Sequence, residues 1–217
     1  MKPWLQLKIA DLVGQRPAGS DHDVHFTESL VEDIVAEYSS PSDVVLDPFA
    51  GYGTTLVVAE RMGRVAIGVE MLDSRAGFVR SRLANPAQVV TGDARRLKDL
   101  VQGPVDLCLT SPPYMTAVDH PQNPLNAYQT LDGDYGRYLD EMGDIFRQVA
   151  DVLRPGGHVV INVANLATQA AITPLAWDMA RTVSSHLTLR HEVFLCWDQQ
   201  PAGISGDYCL VFQRPTE

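Results

Sequence analysis

The chain is poor in cysteine, in basic residues and in long apolar runs. Its three cysteines, Cys108, Cys196 and Cys209, are too few and too scattered for a disulfide framework. Cys108 and Cys209 fall in apolar, strand-like runs, where a free thiol behaves as a small buried hydrophobe. No stretch reaches the ~18 consecutive apolar residues that a membrane helix needs. Met1-Lys2-Pro3-Trp4 opens without the apolar core of a signal peptide. The expectation is a cytoplasmic protein with no membrane association. Against 27 Asp and Glu there are only 17 Lys and Arg, a net charge of −10. Neutralising phosphates takes Lys and Arg, so this balance argues against an extended polyanion-binding face. It leaves room for a local basic patch or a basic partner. Internal repeats and low-complexity tracts are absent, and 217 residues suffice for one α/β domain with a sizeable core.

What is present is an alternation of short apolar strands and amphipathic helices. Residues 1–24 read as a lead-in arm, with a short helix around Trp4 to Val13. Thr27 followed by Leu30, Val31, Ile34 and Val35 predicts a capped helix running to about Tyr38. Strands are expected at Val44–Leu46, Val65–Val69, Gln88–Val90, Val105–Leu109 and His158–Val163. Helices are expected after the first glycine turn, over Asp73–Leu83, Arg95–Val101, Tyr135–Leu153 and Pro174–His186. Two closing strands, Arg190–Trp197 and Asp207–Phe212, read as an antiparallel hairpin. Such an order predicts a Rossmann-like α/β fold with a mostly parallel sheet, helices on both faces and an antiparallel C-terminal hairpin. The domain is expected to span residues 25–217, with an irregular loop over 115–133 on the substrate side. Trp177 reads as a core residue on a helix face, and Trp197 and Tyr208 as packing residues of the hairpin.

Asp47, Glu70, Asp93 and Ser111 each stand just past a predicted strand. Strand ends of a parallel sheet face one crevice, so these groups should converge there. The first strand runs into Asp47-Pro48-Phe49-Ala50-Gly51-Tyr52-Gly53-Thr54-Thr55. Gly51 and Gly53 permit a sharp turn, and Thr54 and Thr55 are candidate caps of the next helix. This turn lacks the third glycine of a dinucleotide loop and the lysine of a P-loop, so a nucleoside ligand without phosphates suits it better. Glu70, about 20 residues on, is placed to accept from ribose hydroxyls. Asp93 can accept from an adenine amino group, cap the helix at Arg95, or both.

The glycine turn, taken with Thr110-Ser111-Pro112-Pro113-Tyr114, resembles the S-adenosylmethionine-dependent amino-methyltransferases of DNA, the N4-cytosine and N6-adenine group. The resemblance runs from about His25 to Phe212. It implies a class I methyltransferase fold with a seven-stranded sheet, and S-adenosyl-L-methionine as cofactor. His25, Phe26 and Thr27 resemble the segment that closes over the cofactor's methionine part. By the same resemblance Asp47, Pro48, Phe49, Gly51, Gly53, Thr54, Thr55, Glu70, Asp93 and Ala94 are cofactor-binding positions. Leu153-Arg154-Pro155-Gly156-Gly157 is similar to the turn before the fifth methyltransferase strand. Here the cofactor loop precedes the catalytic loop, whereas many members carry the permuted order.

Ser111, Pro112, Pro113 and Tyr114 are then the catalytic candidates. An exocyclic amine is a poor nucleophile because its lone pair is delocalised into the base. The Ser111 hydroxyl and the Pro112 carbonyl can accept its hydrogens and localise that pair, and Tyr114 can stack on the ring. Positioning for in-line transfer supplies much of the rate, with no metal and no covalent intermediate. In the family, Ser at the first position goes more often with cytosine N4 and Asp with adenine N6, which favours cytosine N4 in DNA. A duplex substrate would have to flip its base out of the stack. Most DNA members carry an added recognition region. Here only Met115 to Gly133 is available, without Lys or Arg, offering instead His120, Asn123, Asn126, Tyr128 and Gln129. RNA, a free nucleoside or another small nitrogen compound is therefore an alternative substrate, and a non-catalytic cofactor-binding subunit an alternative role. An oligomer or a partner subunit remains compatible with the sequence. Asn162 and Asn165, at the end of the fifth strand, are candidates for the substrate side or for ordinary structural roles.

Overall fold

The computed structural model describes residues 2–17, 26–113, 135–167, 172–201 and 203–216. Strand β1 (Trp4–Leu7) and helix α1 (Ile9–Gly14) open the chain. Helix α2 (Glu28–Tyr38) follows, then β2 (Val44–Asp47), α3 (Thr54–Arg61), β3 (Val65–Glu70) and α4 (Asp73–Arg82). Next come β4 (Val89–Thr91), α5 (Leu97–Leu100), β5 (Val105–Thr110), α6 (Tyr135–Val152) and β6 (Leu153–Ala167). The chain ends with β7 (Ile172–Thr173), α7 (Leu175–Val183), β8 (Thr188–Trp197) and β9 (Ile204–Gln213).

The strands form one nine-stranded sheet in the order β1-β8-β9-β6-β5-β2-β3-β4, with β7 paired to β6 off that path. Among the described residues only β9 and β7 run antiparallel to their neighbours. Seven strands correspond to the expected sheet. The other two are β7 and β1, and β1 corrects the reading of the arm. Trp4–Leu7 is not helical but pairs in parallel with Phe194–Trp197, and the helix begins only at Ile9. Alternation within four residues and a helical period cannot be told apart, so the available edge of β8 decides the conformation.

The sheet divides the core in two. On one face α2, α3 and α4 bury Leu30, Ile34, Leu56 and Val79 against Val45, Leu107, Leu109 and Val160. On the other, α6 and α7 bury Met142, Phe146 and Met179 against Cys108, Val159 and Phe212. Each such fully buried side chain contributes about 1.5–3 kcal/mol. Helix α2 starts where expected: the Thr27 hydroxyl accepts from the Leu30 N–H at 3.2 Å. Trp177 departs from expectation, with 59% of its surface exposed on α7. Leu175, Ala176, Met179 and Val183 make up the buried stripe of that helix and leave Trp177 on its outer side.

Strand order places the crevice. From β2 the chain moves outward through β3 to β4, then crosses back to β5 on the other flank of β2. The carboxyl ends of β2 and β5 therefore straddle the point where winding reverses, where open α/β sheets bind ligands.

Candidate active site

Asp47, Glu70 and Asp93 follow or close β2, β3 and β4, and Ser111 follows β5, so the expected convergence is present. Asp47 is 2% exposed. Its Oδ1 accepts from the Thr110 hydroxyl at 2.6 Å and from the Phe49 N–H at 3.0 Å. The first of these bonds ties the end of β5 to the end of β2 across the reversal point. Burial pushes the Asp47 carboxyl up to about 6, with the Thr110 hydroxyl, the Phe49 N–H and the nearby Thr55 hydroxyl pulling the other way.

Glu70 is 8% exposed, and its carboxylate holds the glycine turn. One oxygen accepts from the Gly51 N–H at 2.9 Å, the other from the Leu72 N–H at 2.8 Å. Burial raises its pKa, and these backbone donors oppose the rise. Gly51 and Gly53 both take positive φ, at 54° and 80°. A Cβ at Gly51 would meet only the Phe49 carbonyl oxygen, at 3.8 Å, so the space above this turn is open. At Gly53 a Cβ would lie 2.6 Å from Val79 Cγ1, so α4 packs directly on the turn. Helix α4 also covers Tyr52: Arg75 sits 4.9 Å over its ring, Phe78 meets it edge-on at 5.6 Å, and Arg82 donates to its carbonyl. The cap of α3 is Gly53 and not a threonine. Thr54 and Thr55 are the first residues of the helix, because the left-handed Gly53 already turns the chain into it.

Asp93 does what its cap reading predicts. It accepts from the Arg95 N–H at 2.9 Å and pairs with the Arg95 guanidinium at 2.6 Å. Partial burial works against its ionisation, but the Arg95 bonds outweigh it and the pKa is lowered. Ala94 beside it is buried in the core. Pro48 is buried, and Phe49 packs at the edge of the α6–α7 core. Phe26 and Thr27 are buried at the start of α2, with Phe26 in the α2–α4 core. His25 and Tyr114 lie outside the described residues, as does the loop 115–133.

On the acceptor side, Pro112 is buried and Pro113 half-buried. The Ser111 Oγ is buried and has no hydrogen-bond partner among the described residues. Asn165 proves structural: its Oδ1 accepts from the Ala176 N–H at 2.9 Å and ties down the start of α7. Asn162 belongs to a buried polar network that the sequence did not reveal. Its Nδ2 donates to Asp207 Oδ1 at 2.9 Å and to the Tyr208 carbonyl at 3.2 Å. Trp197 Nε1 donates to the other Asp207 oxygen at 2.9 Å. Trp197 is thus more than a packing residue. Burial raises the Asp207 pKa to about 6, against the hydrogen bonds from Trp197 and Asn162. Partners 10 and 45 residues apart leave no local pattern. Thr110 was also missed, although a hydroxyl at the strand's last position beside Ser111 is a signal for it. Among the described residues no group of His, Cys, Asp or Glu is arranged to hold a metal ion, and no helix is long and apolar enough to cross a membrane.

Comparison with known proteins places this geometry. Residues 3–77 match the family model described as DNA methylase, of the N6/N4 type. A putative methylase, YubD of Escherichia coli (strain K12), is 39% identical over 82 residues, covering 36% of this chain and 35% of that protein. The type II methyltransferase M.HinfI of Haemophilus influenzae is 49% identical over 49 residues, covering 23% of this chain and 14% of that one. The matched stretches thus span about a third or less of these relatives. Among solved structures, TrmN from Thermus thermophilus superposes with a TM-score of 0.62 at 20% identity, over 87% of this chain and 49% of its own. A methyltransferase from Pyrococcus furiosus gives 0.59 at 15% identity, over 94% and 93%. The fold is that of class I methyltransferases, and the matches support the resemblance to the DNA amino-methyltransferases.

Proposed function

We propose that this chain, whose residues 3–77 carry the N6/N4 DNA methylase signature, transfers a methyl group from S-adenosylmethionine to an exocyclic amine of a base in DNA, with cytosine N4 as the favoured position. One observation carries the reading. A nucleoside-type turn and a Ser-Pro-Pro motif stand at the carboxyl ends of adjacent strands β2 and β5, tied by the 2.6 Å bond from Thr110 to Asp47.

The residues present fit the cofactor. Open space lies above Gly51, and Glu70 is anchored by backbone donors with lone pairs to spare for ribose hydroxyls. Asp93, at the end of β4, is the matching candidate for the adenine amino group. S-adenosylmethionine supplies an electrophilic methyl on a sulfonium. Transfer to the amine nitrogen would break the sulfonium–methyl bond, leave S-adenosylhomocysteine, and release one amine proton to solvent. Ser111 and the Pro112 carbonyl orient the amine hydrogens. Two consecutive prolines hold that carbonyl in place, since neither has a backbone N–H to join a ladder and each has a fixed φ.

A second reading keeps the chemistry and changes the acceptor to RNA, a nucleoside or a small amine. The net charge of −10 and the absence of Lys and Arg from residues 115–133 favour it. The deciding experiment supplies tritiated S-adenosylmethionine with unmodified DNA, total RNA and free nucleosides in parallel, followed by nucleoside analysis of the product. Label in N4-methylcytosine of DNA is the expected result. Label in N6-methyladenine corrects the base, label only in RNA or nucleosides moves the substrate class, and no label in any arm rejects the enzyme reading.

A further inference from the structure

We infer that Asn162 is a positioning residue for methyl transfer, its Oδ1 taking the hydroxyl hydrogen of Ser111 so that the Ser111 oxygen can accept from the target amine. This rests on the methyltransferase reading and assigns a role within that site.

The geometry begins with strand register. Thr110 on β5 pairs with Ile161 on β6, so Ser111 and Asn162 stand one position further along the same two neighbouring strands. Side chains alternate along strands, which puts Asn162 on the face of Val160, and the same alternation carried one residue past β5 puts Ser111 on the face of Leu109. Asn162 is 1% exposed. Its orientation is determined, because both acceptors of its Nδ2, the Asp207 carboxylate and the Tyr208 carbonyl, demand an N–H donor. That leaves Oδ1 pointing away from Asp207, buried and without a partner. The neighbouring Ser111 Oγ is likewise buried and without a partner among the described residues, so the two are not bonded to each other here and the Ser111 hydroxyl turns to Asn162 only when an amine takes up its other side. A buried acceptor left without a donor loses its hydration and gains nothing in return. Two of them on adjacent strands, next to a network that is otherwise fully paired, indicate a site completed only when a substrate arrives.

The chemistry needs such an acceptor. A serine hydroxyl carries one hydrogen and two lone pairs. To accept from an amine it must direct its hydrogen elsewhere, or present that hydrogen to the nucleophile and occupy the lone pair that attacks. A carbonyl-type oxygen on the strand next to Ser111 removes the wrong orientation. Asp207 and Trp197 act further back: by holding Nδ2 they keep Oδ1 available. No proton is transferred between these groups and none changes charge.

The test is a double-mutant cycle on the intact chain, using tritiated S-adenosylmethionine and unmodified DNA, RNA or nucleosides, whichever arm the wild type labels. Ser111→Ala and Asn162→Ala each lower kcat, the second by about tenfold, and the double variant is no slower than Ser111→Ala alone. Binding of S-adenosylmethionine, read by calorimetry, stays within about twofold of wild type in all three. Because Asn162→Ala also strips a donor from Asp207, a second variant separates folding from function. Asn162→Asp with Asp207→Asn exchanges donor and acceptor across the pair and keeps an oxygen at position 162; the Tyr208 carbonyl loses its donor, so the recovery of kcat over Asn162→Ala is partial. Independent losses that multiply in the double variant, or an exchanged pair no faster than Asn162→Ala, overturn the role. A wild type that labels no substrate rejects the methyltransferase reading and this role with it.

Discussion

The two halves of the crevice are finished to different degrees. On the proposed cofactor half, at the ends of β2, β3 and β4, the carboxylates are already engaged: Asp47 by Thr110 and Phe49, Glu70 by Gly51 and Leu72, Asp93 by Arg95. On the proposed acceptor half, just past β5 and within the neighbouring β6, Ser111 Oγ and Asn162 Oδ1 are buried and have no hydrogen-bond partner among the described residues. The first half uses its charges to shape its own backbone, so a ligand meets a rigid turn. The second keeps hydrogen-bonding capacity unspent, at a cost in stability, for a group that arrives with the substrate. Variants on the first half should therefore cost stability and cofactor affinity together, whereas variants at Ser111 should cost rate alone.

The largest expected effect is at Ser111. Removing its hydroxyl leaves no protein partner stranded and relieves an unpaired buried group, so Ser111→Ala is as stable as wild type or more so, by up to about 1 kcal/mol, while kcat falls by about 10²-fold or more. Paired denaturant melts and single-turnover rates check this, and a stability loss equal to the rate loss would erase the contrast. Glu70→Ala comes next. Cofactor affinity drops by about 1–3 kcal/mol in calorimetry and stability drops by a similar amount, because the Gly51 and Leu72 amides lose their acceptor. An affinity unchanged from wild type refutes the ribose role. Gly53→Ala forces a Cβ into Val79 at a left-handed position and destabilises by about 1–3 kcal/mol in urea.

Asp47→Asn probes the pH response. The folded-state pKa of Asp47 is raised to about 6 from 3.8, so the folded chain binds this proton more readily than the unfolded one. Wild-type stability then rises as pH falls from about 6 towards 4, by about 1–3 kcal/mol from this group. The variant lacks that rise, so the difference between the two melting curves should change over this window and be flat above pH 7. Asp207 titrates alike in both proteins and cancels in the difference, whereas Glu70, whose charge helps to raise the Asp47 pKa, is coupled to it and leaves a smaller residual. The smallest effect belongs to the exposed Trp177, where Trp177→Ala should move the melt by no more than about 0.5 kcal/mol.

Much of this was legible in the residues themselves. Thr27, the apolar spacing of α2 and the strand–turn–helix at Val44–Thr55 announced their elements, because caps, glycine turns and helical periods act over a few residues. Alternating strands and helices implied the parallel sheet and hence one crevice for Asp47, Glu70, Asp93 and Ser111. Other features resisted reading. Trp4–Leu7 is a strand only because β8 offers an edge. Trp177 is outside because the other apolar positions of α7 suffice for its buried stripe.

Which side chains reach the carboxyl ends of the strands is a local matter, readable from the residues alone, since each motif sits within a few residues of the strand that presents it. Tertiary structure decided what each group does when it arrives. Asp207 meets Asn162 and Trp197 because β9 lies between β6 and β8, a pairing fixed by packing across the whole sheet. By the same placement Asn165 became a tether for α7 while Asn162, three residues earlier, was left with an open acceptor beside Ser111.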